Sequence, residues 1–165
     1  MVGRAPTSVV DLGSGAGLPG LVLALAWPST TVVLVESSSR RAQVLERAVA
    51  ELGLAGRVTV LAARAEDVAR DPQHRGRHPV VTARSFGPPA VTAECAVGLL
   101  AAGGRLLVSE PPGSRGERWV PTGLVQLGLV LHGVEAGIAT LVLAEPVADR
   151  WPRRPGIPAK RPLFR

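Results

Sequence analysis

"VVDLGSGAGLPG", residues 9–20, sets Gly13, Gly15, Gly17 and Gly20 directly behind an apolar run. The residues that follow, Leu18 to Ala26, contain no polar side chain, so the segment reads as strand, tight turn and buried helix. Two nucleotide-binding patterns fit the same glycines. From Gly15 the chain matches the dinucleotide pattern G-x-G-x-x-G, and from Asp11 it matches D-x-G-x-G-x-G. A dinucleotide needs free N–H groups at the start of the next helix for its pyrophosphate. Pro19 stands there and has no N–H to give.

That proline favours a nucleotide without phosphate, and S-adenosylmethionine is one. Asp11, at the end of the first strand, faces its ammonium directly or through water. Glu36, closing the apolar run Thr30 to Val35, accepts the ribose hydroxyls, although an acid serves dinucleotides there too. Ala65 and Glu66, after a third strand at Val58 to Ala62, lie by the adenine. Each acid also has a structural reading: Asp11 and Glu66 as helix caps, Glu36 as a solvated strand end.

Outward from the loop the pattern repeats. Ser37 to Ser39 cap a helix over Arg40 to Leu52, with Ala42, Leu45, Ala48, Val49 and Leu52 on one stripe and Gly53 as its stop. Arg64 to Asp67 is a polar turn. Asp71 to His78 is an exposed loop whose histidines, His74 and His78, lack the acidic company of a metal site, and no metal is expected. Pro79 to Thr82 is the fourth strand, Val91 to Ala101 a helix ended by Gly103 and Gly104, and Arg105 to Ser109 the fifth strand. After the loop Glu110 to Pro121 come a short helix, Leu124 to Leu127, and a hairpin of Val130 to Val134 with Ala139 to Ala144. The reading is an α/β, Rossmann-like domain with a mostly parallel seven-stranded sheet and a C-terminal antiparallel hairpin, the layout of a class I S-adenosylmethionine-dependent methyltransferase.

The chain has 165 residues, 46% of them apolar, enough for one domain with a filled core. Its formal charge of +6 is unevenly spread. Arg150, Arg153, Arg154, Lys160, Arg161 and Arg165 all lie in residues 150–165 with no acid among them, so residues 1–149, with 13 bases and 13 acids, are neutral. A neutral body, 1–149, with a basic, proline-rich arm, 150–165, points to a polyanion such as RNA. With four prolines in "RWPRRPGIPAKRP" the arm should be extended, holding Arg153, Arg154, Lys160 and Arg161 apart for successive phosphates. Trp151 is its packing anchor or else a stacking platform for a base; in a rival reading the arm folds back over the sheet on Trp151, Ile157 and Leu163, with its arginines solvated. A single cysteine, Cys95, excludes an internal disulfide. The absence of a signal-like start or a membrane-length apolar run points to the cytoplasm, and a monomer is favoured.

"VDLGSGAGLPGLVLAL", "LVESSSRRAQVLERAVAELGL", "VTVLAARAED", "VVTARSF" and "RWPRRPGIPAKRPL" together resemble the RsmG (GidB) methyltransferases, which methylate N7 of a guanine in 16S ribosomal RNA. The resemblance implies S-adenosyl-L-methionine as cofactor and the small ribosomal subunit as partner. It carries the cofactor pocket to Asp11, Gly13, Gly15, Gly17, Glu36, Ala65 and Glu66, with Leu18 beside them, and sets Arg84 at the active site. Guanine N7 has a lone pair and no proton to lose, so no general base is needed, and Arg84 can fork onto guanine O6 or a phosphate. A salt bridge at a strand end is the plainer role for Arg84.

Two departures stand out. Family members usually carry a helical segment before the first strand, which begins here at Ser8, and a lysine-glycine pair after the fifth strand, where this chain reads "SEPPG" with Glu110. These leave two alternatives: a small-molecule methyltransferase, or a catalytically impaired S-adenosylmethionine-binding protein.

Overall fold

A computed structural model describes residues 5–165. Five strands, β1 (Ser8–Leu12), β2 (Thr31–Val35), β3 (Val58–Leu61), β4 (His78–Ala83) and β5 (Leu100–Ser109), are followed by the hairpin β6 (Leu129–Glu135) and β7 (Ile138–Leu143). The sheet order is β3-β2-β1-β4-β5-β7-β6. Strands β1 to β5 pair in parallel, and β7 enters antiparallel between β5 and β6. The order reverses beside β1, so the carboxyl ends of β1, β2 and β4 open around one crevice, where open α/β sheets hold ligands.

Strand side chains alternate between two layers. Val32 and Leu34 of β2 pack with Leu21 and Ala24 of α1 (Gly20–Ala26) and Leu45 and Val49 of α2 (Ser39–Glu51). Val10, Leu12, Val33 and Val35 face the other way, onto α3 (Ala65–Val68), α4 (Pro89–Val97) and α5 (Pro121–Val125). Ser38 caps α2 by accepting the Arg41 N–H, in keeping with the serine cluster. The apolar stripe is narrower than expected: Ala42, Leu45 and Val49 are buried while Leu52 is 45% exposed. Burying Leu45 contributes about 1.5–3 kcal/mol.

Several boundaries differ from the sequence reading. The turn at Arg64 to Asp67 coils into α3, and α1 starts two residues later than Leu18. Helix α4 ends at Val97, and β5 already starts at Leu100, before Gly103 and Gly104. Gly98 is the C-cap, at a place only glycine fits: a Cβ there would lie 2.7 Å from the Ala69 carbonyl oxygen and 2.9 Å from Pro152 Cδ. His78 belongs to β4 rather than to an exposed loop. It pairs with Leu100, is 7% exposed and meets the Ser8 hydroxyl through Nδ1 at 3.0 Å.

The arm is corrected most. Ile157–Lys160 forms a helical turn, α6, and the segment folds back on the body instead of extending. The Trp151 indole is buried and donates to the Gln126 carbonyl at 3.0 Å. Arg153 reaches Glu94 in the middle of α4: Nε donates to Oε1 at 2.8 Å, Nη2 to Oε2 at 2.6 Å, and the backbone N–H to Oε1 at 2.9 Å. Glu94 is fully buried, so it needs this partner, since an isolated buried carboxylate is costly. Phe164 closes the arm against Gly123, where no Cβ would fit.

Candidate active site

The glycine loop is held by backbone and carboxylates alike. Gly13 and Ser14 both donate to the Val35 carbonyl, at 2.9 and 3.0 Å, which pins the loop to the end of β2. Gly13, at φ 65, lies so close to Phe86 that a Cβ would sit 2.8 Å from its ring. Gly17, at φ 91, could take a side chain only by moving Leu21.

Asp11 is fully buried beneath this loop. Its Oδ2 accepts the Gly20 N–H at 3.2 Å and its Oδ1 the Thr82 hydroxyl at 2.8 Å. Burial pushes its carboxyl above the ordinary value, and the Thr82 and Gly20 hydrogen bonds work against that rise. Since Gly20 is the first residue of α1 and Pro19 precedes it, the helix start has one N–H given to Asp11 and another missing. The anion site that a pyrophosphate requires is therefore closed, in favour of the pattern read from Asp11.

Glu36, at the end of β2, accepts the Gly15 N–H on Oε2 at 3.1 Å, and the Ser38 N–H and Arg41 Nη2 on Oε1, both at 2.8 Å. Burial raises its pKa, but Arg41, Ser38 and Gly15 together outweigh that and hold the carboxyl below its ordinary value. The carboxylate is ionised at neutral pH. Arg41 is itself 60% exposed and can leave Oε1 to an incoming hydroxyl.

Two clefts open over this frame. The first, of about 490 Å³, is bordered by Gly13, Gly15, Leu18, Glu36, Arg84 and Phe86. The second, of about 410 Å³, lies at the ends of β4 and β5 and is bordered by Phe86, Val108, Ser109, Glu110 and Arg118. They meet at Ser85 and Phe86, which line both. Ser85 has φ 53, a left-handed conformation that a non-glycine residue seldom adopts and that clusters at functional sites.

The expected site residues thus divide. Gly13, Gly15, Leu18, Glu36 and Arg84 line the first cleft; Asp11 and Gly17 support it from below. Ala65 and Glu66 are not among its lining residues, and Glu66 Oε1 accepts the Gly156 N–H of the arm at 2.8 Å. Of the arm cations, Arg153 is engaged by Glu94, while Arg154, Lys160 and Arg161 are exposed. Ser85, Phe86, Arg41 and Arg118 were missed from sequence. The signal for the first pair was "RSF" directly behind the fourth strand, with one of only two phenylalanines in the chain. Glu110, which replaces a cation in the sequence pattern, has a buried side chain that serves the fold. It accepts the Trp119 indole N–H at 3.0 Å and the Ser114 hydroxyl.

Known proteins share the family and the fold. The family model "GidB: rRNA small subunit methyltransferase G" matches residues 2–112. The Ribosomal RNA small subunit methyltransferase G of Roseiflexus castenholzii is 40% identical over 174 aligned positions, covering 98% of this chain and 73% of that protein. A predicted O-methyltransferase from Agrobacterium tumefaciens has the same fold, with a TM-score of 0.62 at 20% identity over 86% of this chain and 76% of that one. The O-methyltransferase segment of StiE superposes with a TM-score of 0.61 at 20% identity over 78% of this chain, which spans 47% of that chain. With its sheet order and glycine loop, the chain belongs to the rRNA small subunit methyltransferase G family.

Proposed function

We propose that the protein transfers a methyl group from S-adenosylmethionine to N7 of a guanine in 16S ribosomal RNA. The observation that carries this reading is the pair of clefts meeting at Ser85 and Phe86, one framed for a nucleoside and the other with no free base at its wall among the described residues. Among the described residues the one carboxylate lining the second cleft is that of Glu110, whose side chain is fully buried and hydrogen-bonded through both oxygens. Such a cleft suits an acceptor that has no proton to lose.

The chain's own residues fit the cofactor. The glycines let backbone approach it, and Glu36, ionised and displaceable from Arg41, accepts the ribose hydroxyls. Asp11, its two oxygens held by the Gly20 N–H and the Thr82 hydroxyl, fixes the start of α1 beneath the loop that takes the ammonium end. When bound, S-adenosylmethionine supplies an electrophilic methyl on a sulfonium; guanine N7 forms the new bond with its in-plane lone pair as the carbon–sulfur bond breaks, leaving the purine cationic and releasing no proton. Arg84, exposed at the end of β4, guides the RNA into line. Arg154, Lys160 and Arg161 add phosphate contacts from an arm, 150–165, that is part of the same domain as residues 1–149. The site of action in this reading is the cytoplasm, where ribosomes assemble. Among the described residues no helix is long and apolar enough to cross a membrane.

Incubation with small-subunit RNA and methyl-labelled S-adenosylmethionine, followed by nucleoside mass spectrometry, tests the reading. Label in 7-methylguanosine is expected. Label on another atom, or transfer only to small acceptors, overturns it.

A further inference from the structure

The loop after β5 is organised around one buried carboxylate. Glu110 accepts from Trp119 and Ser114, and the Ser114 hydroxyl in turn accepts the Gly116 N–H at 3.2 Å. Trp119 is 2% exposed and Gly116 packs under Leu131 and Val134, so the loop is fixed from both sides. Between them the chain delivers Arg118 to the wall of the second cleft.

Arg118 is incompletely used by the fold. Its Nε is buried and has no hydrogen-bond partner among the described residues. The nearest acid, Glu110 Oε1, is 3.8 Å from that nitrogen and already receives the Trp119 N–H. The pair therefore gives Coulombic attraction without a hydrogen bond, which orients the guanidinium but leaves its donors free. The side chain is 33% exposed, and Arg118 borders the cleft. Nε itself is sealed from solvent, so a ligand in the cleft meets the other guanidinium nitrogens, which make no hydrogen bond to the described residues.

We propose that Arg118 holds a phosphate of the target nucleotide in the second cleft, with Glu110 as the residue that aims it. This inference rests on the function proposed above. A phosphate is favoured over the guanine edge by charge. Methylation at N7 leaves the purine cationic, so a guanidinium on its N7/O6 edge opposes the reaction as that charge develops, whereas one bound to phosphate does not. The fork of Arg also matches phosphate oxygens in pairs.

Arg118→Gln and Arg118→Lys, compared with the unaltered protein, test this by steady-state methylation of small-subunit RNA and by RNA-binding anisotropy across a salt series. The Gln variant should raise KM for RNA about tenfold or more, change kcat by less than about threefold, and lower the log–log salt slope of binding by about 0.7–0.9, the value of one phosphate contact. Affinity for S-adenosylmethionine should stay within about twofold, and the Lys variant should recover most of the slope, which a purely structural arginine would not produce. An unchanged slope overturns the proposal, as does a fall in kcat with KM and slope intact, which would place Arg118 on the base. Anisotropy reads the slope without turnover, so a protein that binds RNA with this Arg118 dependence but methylates nothing would refute the function and leave the inference standing.

Discussion

At the glycine loop two buried carboxylates receive backbone N–H groups, Asp11 from Gly20 and Glu36 from Gly15; beneath the arm two others, Glu66 on α3 and Glu94 on α4, receive the arm's Gly156 N–H and Arg153 guanidinium. Both segments are rich in glycine or proline, and both are tied down by acids. The difference lies in what remains open. Glu36 borders a cleft and shares its charge with an exposed arginine, whereas Glu94, inside the body, is closed over by Arg153 of the arm. The same device serves a ligand in one place and the fold in the other, and the exposure of the cation tells which.

Breaking the arm should give the largest effect. Arg153→Ala leaves Glu94 as an unpaired buried carboxylate, and loss of one partner of a buried pair costs about 3–5 kcal/mol. Urea denaturation should show that loss while S-adenosylmethionine affinity, read by calorimetry, stays within about twofold.

The opposite pattern is expected in the loop. Glu36→Ala removes the acceptor for Gly15 and for the ribose, weakening cofactor binding by about 1.5–3 kcal/mol, the scale of a hydrogen bond to a charged group. Acid sharpens this contrast. Because the Glu36 carboxyl is held below its ordinary value of 4.5, the stability it contributes is present above that pH and is lost as the pH falls through the lowered value. The stability gap between the protein and Glu36→Gln, followed by urea midpoints, should therefore close on acidification below 4.5 and stay open at neutral pH. A gap that widens in acid would show that Glu36 is not held as described.

The smallest effect belongs to the exposed cations of the arm. Replacing Arg154, Lys160 and Arg161 with Gln should leave folding and cofactor affinity unchanged and lower the salt slope of RNA binding by up to about 0.7–0.9 for each phosphate that is no longer neutralised. No change in slope would confine the arm to packing.

The loop was legible in sequence and the arm was not, for one physical reason. Glu36 lies 21 residues from Gly15 and Asp11 nine from Gly20, and glycine spacing, strand ends and a serine cap are local signals; only the contacts from β4 and its end, Thr82 to Asp11 and Phe86 to Gly13, come from far along the chain. Arg153 and Glu94 are 59 residues apart, and Gly156 and Glu66 are 90. Four prolines made an extended arm the local expectation, but docking overrode it. One clue was present: Glu94 is the single charge in the apolar run Ala90 to Ala101, and an acid inside a buried helix requires a cation. The same run misled the helix boundary, because Leu99 to Ala102 are good helix formers whose pairing beside β4 is set by tertiary contacts. "RSF" directly behind the fourth strand marked the place of Ser85 and Phe86, but it reports neither a left-handed φ nor a ring against Gly13.

The central claim is that the glycine loop is built for a nucleotide without phosphate, since Pro19 offers no N–H and Asp11 occupies that of Gly20. Calorimetric titration of the protein with S-adenosylmethionine and, separately, with NAD tests it most directly. Saturable binding of S-adenosylmethionine in the micromolar range, with none for NAD, is the predicted result; tighter binding of NAD would contradict the account.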